Sequence, residues 1–247
     1  MKPNENTERL HDMTQLIKRM SAFLLCLMLL MGAYTETALA APDWPSGVSV
    51  QAESGIVIDA DTGTVLWGQN IHNQYFPASI TKIMTALIVI EKCSLDETVT
   101  FSHNAVFNVE AGSSNAGINE GDKLSVKDCL YALLLKSANE SANALAEHVA
   151  GSTEAFADMM NAKAKELGCT DTHFANPSGL NNPEHYTSTY DMALIARAAF
   201  LNPTFEEIDS TTYYKLPPNS INPEGLTIYP GHKMLKKSTP YYYPGIV

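Results

Sequence analysis

The stretch from Pro77 to Glu91 leaves this chain the least freedom. Ile80, Ile83, Met84, Leu87 and Ile88 recur at the i, i+3, i+4, i+7, i+8 spacing of a helix with one apolar face. The rest of the molecule must cover that face. Ser79 and Lys82 stand three residues apart in the first turn, a spacing that sets two helical side chains next to each other. The pattern predicts a hydroxyl beside an amine at the edge of a core, where water is scarce.

The neighbouring segments supply the cover. Ser54 to Ala60 and Thr64 to Gly68 read as β-runs around Asp61-Thr62-Gly63, a strong hairpin signal, and Pro77 suits a helix start. Leu95 to Ser102 reads as extended, and Asn108 to Asp122, rich in Gly, Ser and Asn, as a loop. Ser125-x-x-Asp128 resembles a capping box opening a helix through Leu130, Leu133 and Leu134. Ser137-Ala138-Asn139 interrupts that pattern, which resumes at Ala142, Leu145, Ala146 and Val149 until Gly151; two helices meeting at a tight polar corner fit best. A further helix starts near Thr153, carries Phe156, Met159, Met160 and Leu167, and stops at Gly168. Phe174 to His185 is loop; Ser188-x-x-Asp191 then opens a helix with Met192, Ile195 and Ala199 that ends by Asn202-Pro203. The Pro-, Gly- and Tyr-rich tail from Tyr213 reads as extended or irregular. The fold class is α+β, with a hairpin that lacks visible partner strands although a lone hairpin is marginal.

Residues 1–40 stand apart from this domain, which occupies 41–247. Lys18-Arg19, the apolar run Met20 to Met31 and the small-x-small stretch Ala38-Leu39-Ala40 have the layout of a secretory signal peptide cleaved after Ala40, so the protein is expected outside the cytoplasm. That run is too short to span a bilayer comfortably. The 40 residues hold four acidic and four basic side chains, so the net charge of −11 belongs to the exported part. A balance this acidic excludes an electrostatic footprint for nucleic acid or anionic lipid. Cys93, Cys129 and Cys169 are a poor disulfide framework and read as packed thiols; Cys169-x-x-x-His173 lacks the second ligand pair of a zinc signature, and no metal or other cofactor is expected.

A serine hydroxyl attacks well only when a base takes its proton, and Gly-x-Ser-x-Gly, the elbow of α/β-hydrolases, is absent. Lysine serves as that base if burial brings its pKa down from about 10.4 to roughly 7–8. Ser-x-x-Lys alone is common, and a capping Ser79 with a surface Lys82 is its bland reading. Ser137-x-Asn139 downstream alters the balance, although both residues also suit helix caps.

Phe76-Pro-Ala-Ser-Ile-Thr-Lys-Ile-Met-Thr-Ala-Leu87 resembles the active-site segment of the serine-type D-alanyl-D-alanine carboxypeptidases, the low-molecular-weight penicillin-binding proteins of peptidase family S11. Leu133 to Glu147 is similar to their second motif, and Phe174 to Leu180 with His185-Tyr-Thr187 to a further stretch; the resemblance runs from about Ala52 onward. It implies a β-lactamase and penicillin-binding-protein transpeptidase-like fold. It also implies that Ser79 is acylated by peptidoglycan stem peptides ending in D-Ala-D-Ala and by β-lactam antibiotics. Lys82 would be its base, Ser137 a proton relay and Asn139 a ligand of the substrate amide and of Lys82. The Ser79 N–H would form half of an oxyanion hole, and no metal or organic cofactor is implied. His185 and Asp191 are expected to be structural, through a loop hydrogen bond and a helix cap. Tyr241-Tyr242-Tyr243 reads as a packed or strand-forming run.

The sequence departs from the family at the third motif, Lys-Thr-Gly. Lys237-Ser238-Thr239-Pro240 lacks the glycine and places proline where a strand must donate hydrogen bonds. The expectation is therefore a partial domain without the later strands, the closing helix or a membrane-anchoring segment, inactive and marginally folded as it stands. The alternatives are a class A type β-lactamase, disfavoured by Ser137-Ala138-Asn139 in place of Ser-Asp-Asn and by the lack of a clear glutamate loop, and a non-catalytic protein of the same fold.

Overall fold

The computed structural model describes residues 18–20 and 50–243. The chain divides into two units, Met1–Ser46 and Gly47–Val247. Of the first, only the exposed helical residues Lys18, Arg19 and Met20 are described; the apolar run and the cleavage site after Ala40 lie outside the described residues. No described helix is long and apolar enough to cross a membrane.

The second unit opens with the expected hairpin, β1 (Gly55–Ile58) and β2 (Val65–Gln69), antiparallel with an irregularity after Val57. The Asp59 carboxylate accepts the Thr62 N–H at 2.8 Å, and Gly63 takes the positive φ of +76° that closes the turn. A 3₁₀ turn, Ala78–Thr81, leads into α1 (Lys82–Lys92). Then follow β3 (Thr98–Thr100), α2 (His103–Phe107), β4 (Lys123–Ser125), α3 (Val126–Lys136), α4 (Asn139–Ala150), α5 (Thr153–Glu166), α6 (Thr189–Phe200) and α7 (Pro203–Asp209). Strands β5 (Tyr214–Leu216) and β6 (Leu226–Ile228) close the order of strands. β3 pairs with β4 and β5 with β6, so the described strands form three separate antiparallel pairs.

Helix boundaries follow local chemistry. Ser125 and Asp128 form the reciprocal capping box at the start of α3, and Ser152 and Ser188 cap α5 and α6 through the N–H groups of Ala155 and Asp191. Gly151 at φ +83° ends α4. Asp191 departs from its expected role. Ser188 is the cap, while the buried Asp191 carboxylate accepts the Asp171 N–H and the Thr172 hydroxyl, both at 2.7 Å, and so ties the preceding loop to α6.

Helix α1 is the hub, packed against α3, α4, α5, α6 and α7. Met84, Leu87 and Ile88 are fully buried, each contributing about 1.5–3 kcal/mol relative to an exposed side chain. Ile80 is not in that core; it is 49% exposed. The opening turn is 3₁₀, whose three residues per turn rotate Ile80 off the α-helical face. It lines instead an apolar groove of about 500 Å³ with Ile56, Ile58, Ile83, Met192 and Phe200.

The tail holds two surprises. β5 and β6 make a hairpin, with Tyr214 stacked on Tyr131 of α3 at 3.7 Å between ring centroids. Tyr241, Tyr242 and Tyr243 are exposed and outside any strand, contrary to the packed run expected of them. Among the described residues Cys93, Cys129 and Cys169 form no disulfide, and Cys129 is fully buried in α3.

Candidate active site

The 3₁₀ turn sets Ser79 on the surface and Lys82 beneath it, only 2% exposed. The Lys82 Nζ donates to Asn139 Oδ1 at 2.7 Å, to the Ser178 carbonyl at 2.6 Å and, more loosely, to Ser79 Oγ at 3.3 Å. Two short bonds hold two of the amine's hydrogens. The third direction, where a neutral amine carries its lone pair, points at the serine hydroxyl. Burial lowers the Lys82 pKa from 10.5 to about 8, against the opposing pull of Glu140. That fall corresponds to about 3 kcal/mol in favour of the neutral amine.

Asn139 and Ser137 come from the corner between α3 and α4. Ser137 turns the chain with a left-handed backbone, φ +58° and ψ +36°, at the end of α3. The Asn139 N–H donates to the Ser114 carbonyl at 3.0 Å, and the buried Glu140 accepts the Ala116 N–H at 2.7 Å, so the first turn of α4 is stitched to the 108–122 loop. Burial raises the Glu140 pKa. The structure thus joins Ser79, Lys82 and Asn139 in one hydrogen-bonded set. Ser137 lies in the same corner, its Oγ buried and with no partner among the described residues.

Four further residues hold this set, and the sequence reading had not assigned them a part in it. Ser178 supplies its carbonyl to Lys82, and the Thr85 hydroxyl donates to the Pro177 carbonyl at 2.7 Å. His185 Nδ1 accepts the Ala175 N–H at 3.1 Å, which leaves the proton on Nε2 to bond Thr81 Oγ1 at 2.8 Å. Burial lowers the His185 pKa to about 4, so this neutral tautomer persists across ordinary pH. His185 is structural, as expected, and the structure it maintains is the serine-bearing turn. Gly179, at φ +83°, lies against the Ala78 carbonyl. The visible signal was Asn176-Pro-Ser-Gly179, a turn sequence whose glycine needs a reason.

Lys237 to Pro240 forms no strand. Thr239 turns back on its own segment, donating from Oγ1 to the Lys233 carbonyl at 2.6 Å.

With this geometry the similarities to known proteins gain meaning. A family model for D-alanyl-D-alanine carboxypeptidases of peptidase family S11 matches residues 36–234. The D-alanyl-D-alanine carboxypeptidase DacF of Bacillus subtilis (strain 168) is 37% identical over 185 residues, covering 72% of this chain and 46% of the relative. DacD of Escherichia coli (strain K12) is 36% identical over 165 residues, 64% of this chain and 42% of DacD. The crystal structure of penicillin binding protein 6B from Escherichia coli superposes with a TM-score of 0.72 at 32% identity, over 81% of this chain and 64% of that one. The expected transpeptidase-like fold is therefore the observed one. The chain spans less than half the length of these curated relatives. Match, fold and site agree that this chain belongs to the S11 family of D-alanyl-D-alanine carboxypeptidases.

Proposed function

We propose that Ser79 is the nucleophile of a D-alanyl-D-alanine carboxypeptidase acting on peptidoglycan stem peptides outside the cytoplasm. The observation that carries this reading is the buried Lys82 amine, held by Asn139 and Ser178 with its third direction toward Ser79 Oγ. Lys82 takes the Ser79 proton as Oγ attacks the carbonyl of the penultimate D-alanine. The oxyanion of the tetrahedral intermediate is met by the Ser79 backbone N–H. The proton then passes from Lys82 through the Ser137 hydroxyl to the departing D-alanine nitrogen, while Asn139 hydrogen-bonds the substrate amide. Water attacks the acyl-enzyme, with Lys82 again accepting a proton, and releases the shortened peptide. A β-lactam acylates the same oxygen. Ser137 Oγ has no hydrogen-bond partner among the described residues and lies in the corner that carries Asn139, which leaves it open to bond the substrate.

The test is labelling of the full chain with a fluorescent penicillin, followed by D-alanine release from a D-Ala-D-Ala peptide. Against the inactive state read from the absence of Lys-Thr-Gly, the joined Ser79–Lys82–Asn139 set leads us to expect labelling in the native chain and none in Ser79→Ala. A label that stays in Ser79→Ala, or never forms on the native chain, overturns the assignment. Fast release of hydrolysed penicillin in place of a lasting acyl-enzyme would point to the β-lactamase alternative.

The pH dependence has a definite sign. Only the neutral amine accepts a proton, and Lys82 is neutral above its pKa of about 8. The acylation rate should therefore rise with pH through a limb centred near 8. A rate independent of pH between 6 and 10, a span of roughly two units either side of that pKa, would exclude Lys82 as the base.

A further inference from the structure

We infer that Cys93, Glu97 and His148 form a binding site for a divalent metal ion of the zinc type. The fold brings one ligand atom from each to within 4.8 Å of the other two. No spacing in the sequence announces this, since His148 lies on a different helix from Cys93.

Two of the three donors sit on a short, pinned connection. The Cys93 N–H caps α1 through the Val89 carbonyl at 2.9 Å, the Glu97 N–H bonds the Ser94 carbonyl at 3.2 Å, and the carbonyls of Leu95 and Glu97 accept the N–H groups of Lys127 and Val126, each at 2.9 Å. Glu97 Oε1 accepts the Ser94 N–H at 2.6 Å, which leaves Oε2 to meet His148 Nε2 at 3.0 Å. His148 projects from the last turn of α4.

A thiolate, an imidazole and a carboxylate are the donor set that zinc favours, and the two anions neutralise its charge. Tetrahedral bonds of about 2.0–2.3 Å need the donors about 3.5 Å apart. Cys93 and the His148 side chain, 24% exposed, are part-buried, and the more open Glu97 carboxylate, 44% exposed, has the room to close that small difference. On binding, the Cys93 thiol proton goes to solvent. The His148 proton on Nε2 moves to Nδ1, and the Nε2 lone pair and Glu97 Oε2 exchange their mutual bond for the metal. Water fills the fourth position. Ser79 lies at the other end of α1, about 20 Å along the axis, so the ion ties the ends of α1 and α4 together and takes no part in acylation.

Titrating the full, thiol-reduced chain with Co²⁺ tests this directly. One equivalent should produce thiolate-to-cobalt charge-transfer absorption with the visible bands of a tetrahedral site, and Zn²⁺ should displace it. Cys93→Ser should abolish the charge-transfer band, and His148→Gln should weaken binding by at least about 100-fold, beyond the 10–100-fold that losing an outer partner costs. Neither Glu97 nor His148 belongs to the buried core, so Glu97→Gln and His148→Gln leave it untouched, and zinc should raise the thermal midpoint of the native chain but not of His148→Gln. Absence of the band, a band unchanged in Cys93→Ser, or equal affinity in His148→Gln overturns the site.

Discussion

Replacing Lys82 with methionine is expected to slow acylation of Ser79 by a penicillin about 10²–10⁴-fold, the usual contribution of a positioned general base. Methionine fills the same buried volume but accepts no proton. Asn139 Oδ1 and the Ser178 carbonyl lose their donor, which costs about 1–3 kcal/mol each, partly offset because an amine no longer has to be desolvated. Lys82→Arg separates the two functions a lysine can have. Arginine keeps the positive charge yet stays protonated at any accessible pH. If Lys82 works as a base, both variants acylate slowly, as time courses of fluorescent penicillin labelling would record. An arginine variant labelled at the native rate would mean that charge alone is required.

What could be read in the sequence was what local geometry determines. Ser79 and Lys82 are three residues apart, so any helical turn brings them together, and the caps at Ser125 and Ser188 each bond a backbone N–H three residues on. The corner at Ser137 was legible because small polar residues interrupt an apolar period. Ile80 misled because periodicity assumes an α-helix from the first residue, and the opening turn is 3₁₀. The β5–β6 hairpin was hidden by strands of three residues joined by a nine-residue link, Pro217 to Gly225, with no two-residue turn signal. Least legible were the contacts around Lys82. Asn139 is 57 residues away, and Ser178 gives Lys82 a backbone carbonyl, which any residue type could provide, from 96 residues away. His185 reaches Thr81 across 104 residues from a loop without period. Motif resemblance supplied Asn139; nothing in the pattern of residues supplied the other two.

That hidden support predicts the second large effect, at a residue that touches no substrate. Gly179→Ala should destabilise the chain by about 2–5 kcal/mol, combining the left-handed backbone penalty with overpacking. A Cβ at this position would collide with the Ala78 carbonyl and approach Thr81 Oγ1 to 3.0 Å. Ala78 cannot easily yield, because it already holds a positive φ of +49° just ahead of Ser79. The loop must move instead, carrying the Ser178 carbonyl off Lys82. A displacement near 1 Å costs about 10²-fold in rate, so acylation should fall by that order in whatever fraction remains folded. Gly151→Ala is the control. Gly151 has the same φ of +83°, but a Cβ there meets nothing within 4 Å. That variant should lose only the backbone penalty of about 1–2 kcal/mol and keep the native acylation rate. Equal losses of activity in the two variants, measured beside their thermal midpoints, would show that general destabilisation is the cause and that the 176–185 loop does not position the nucleophile.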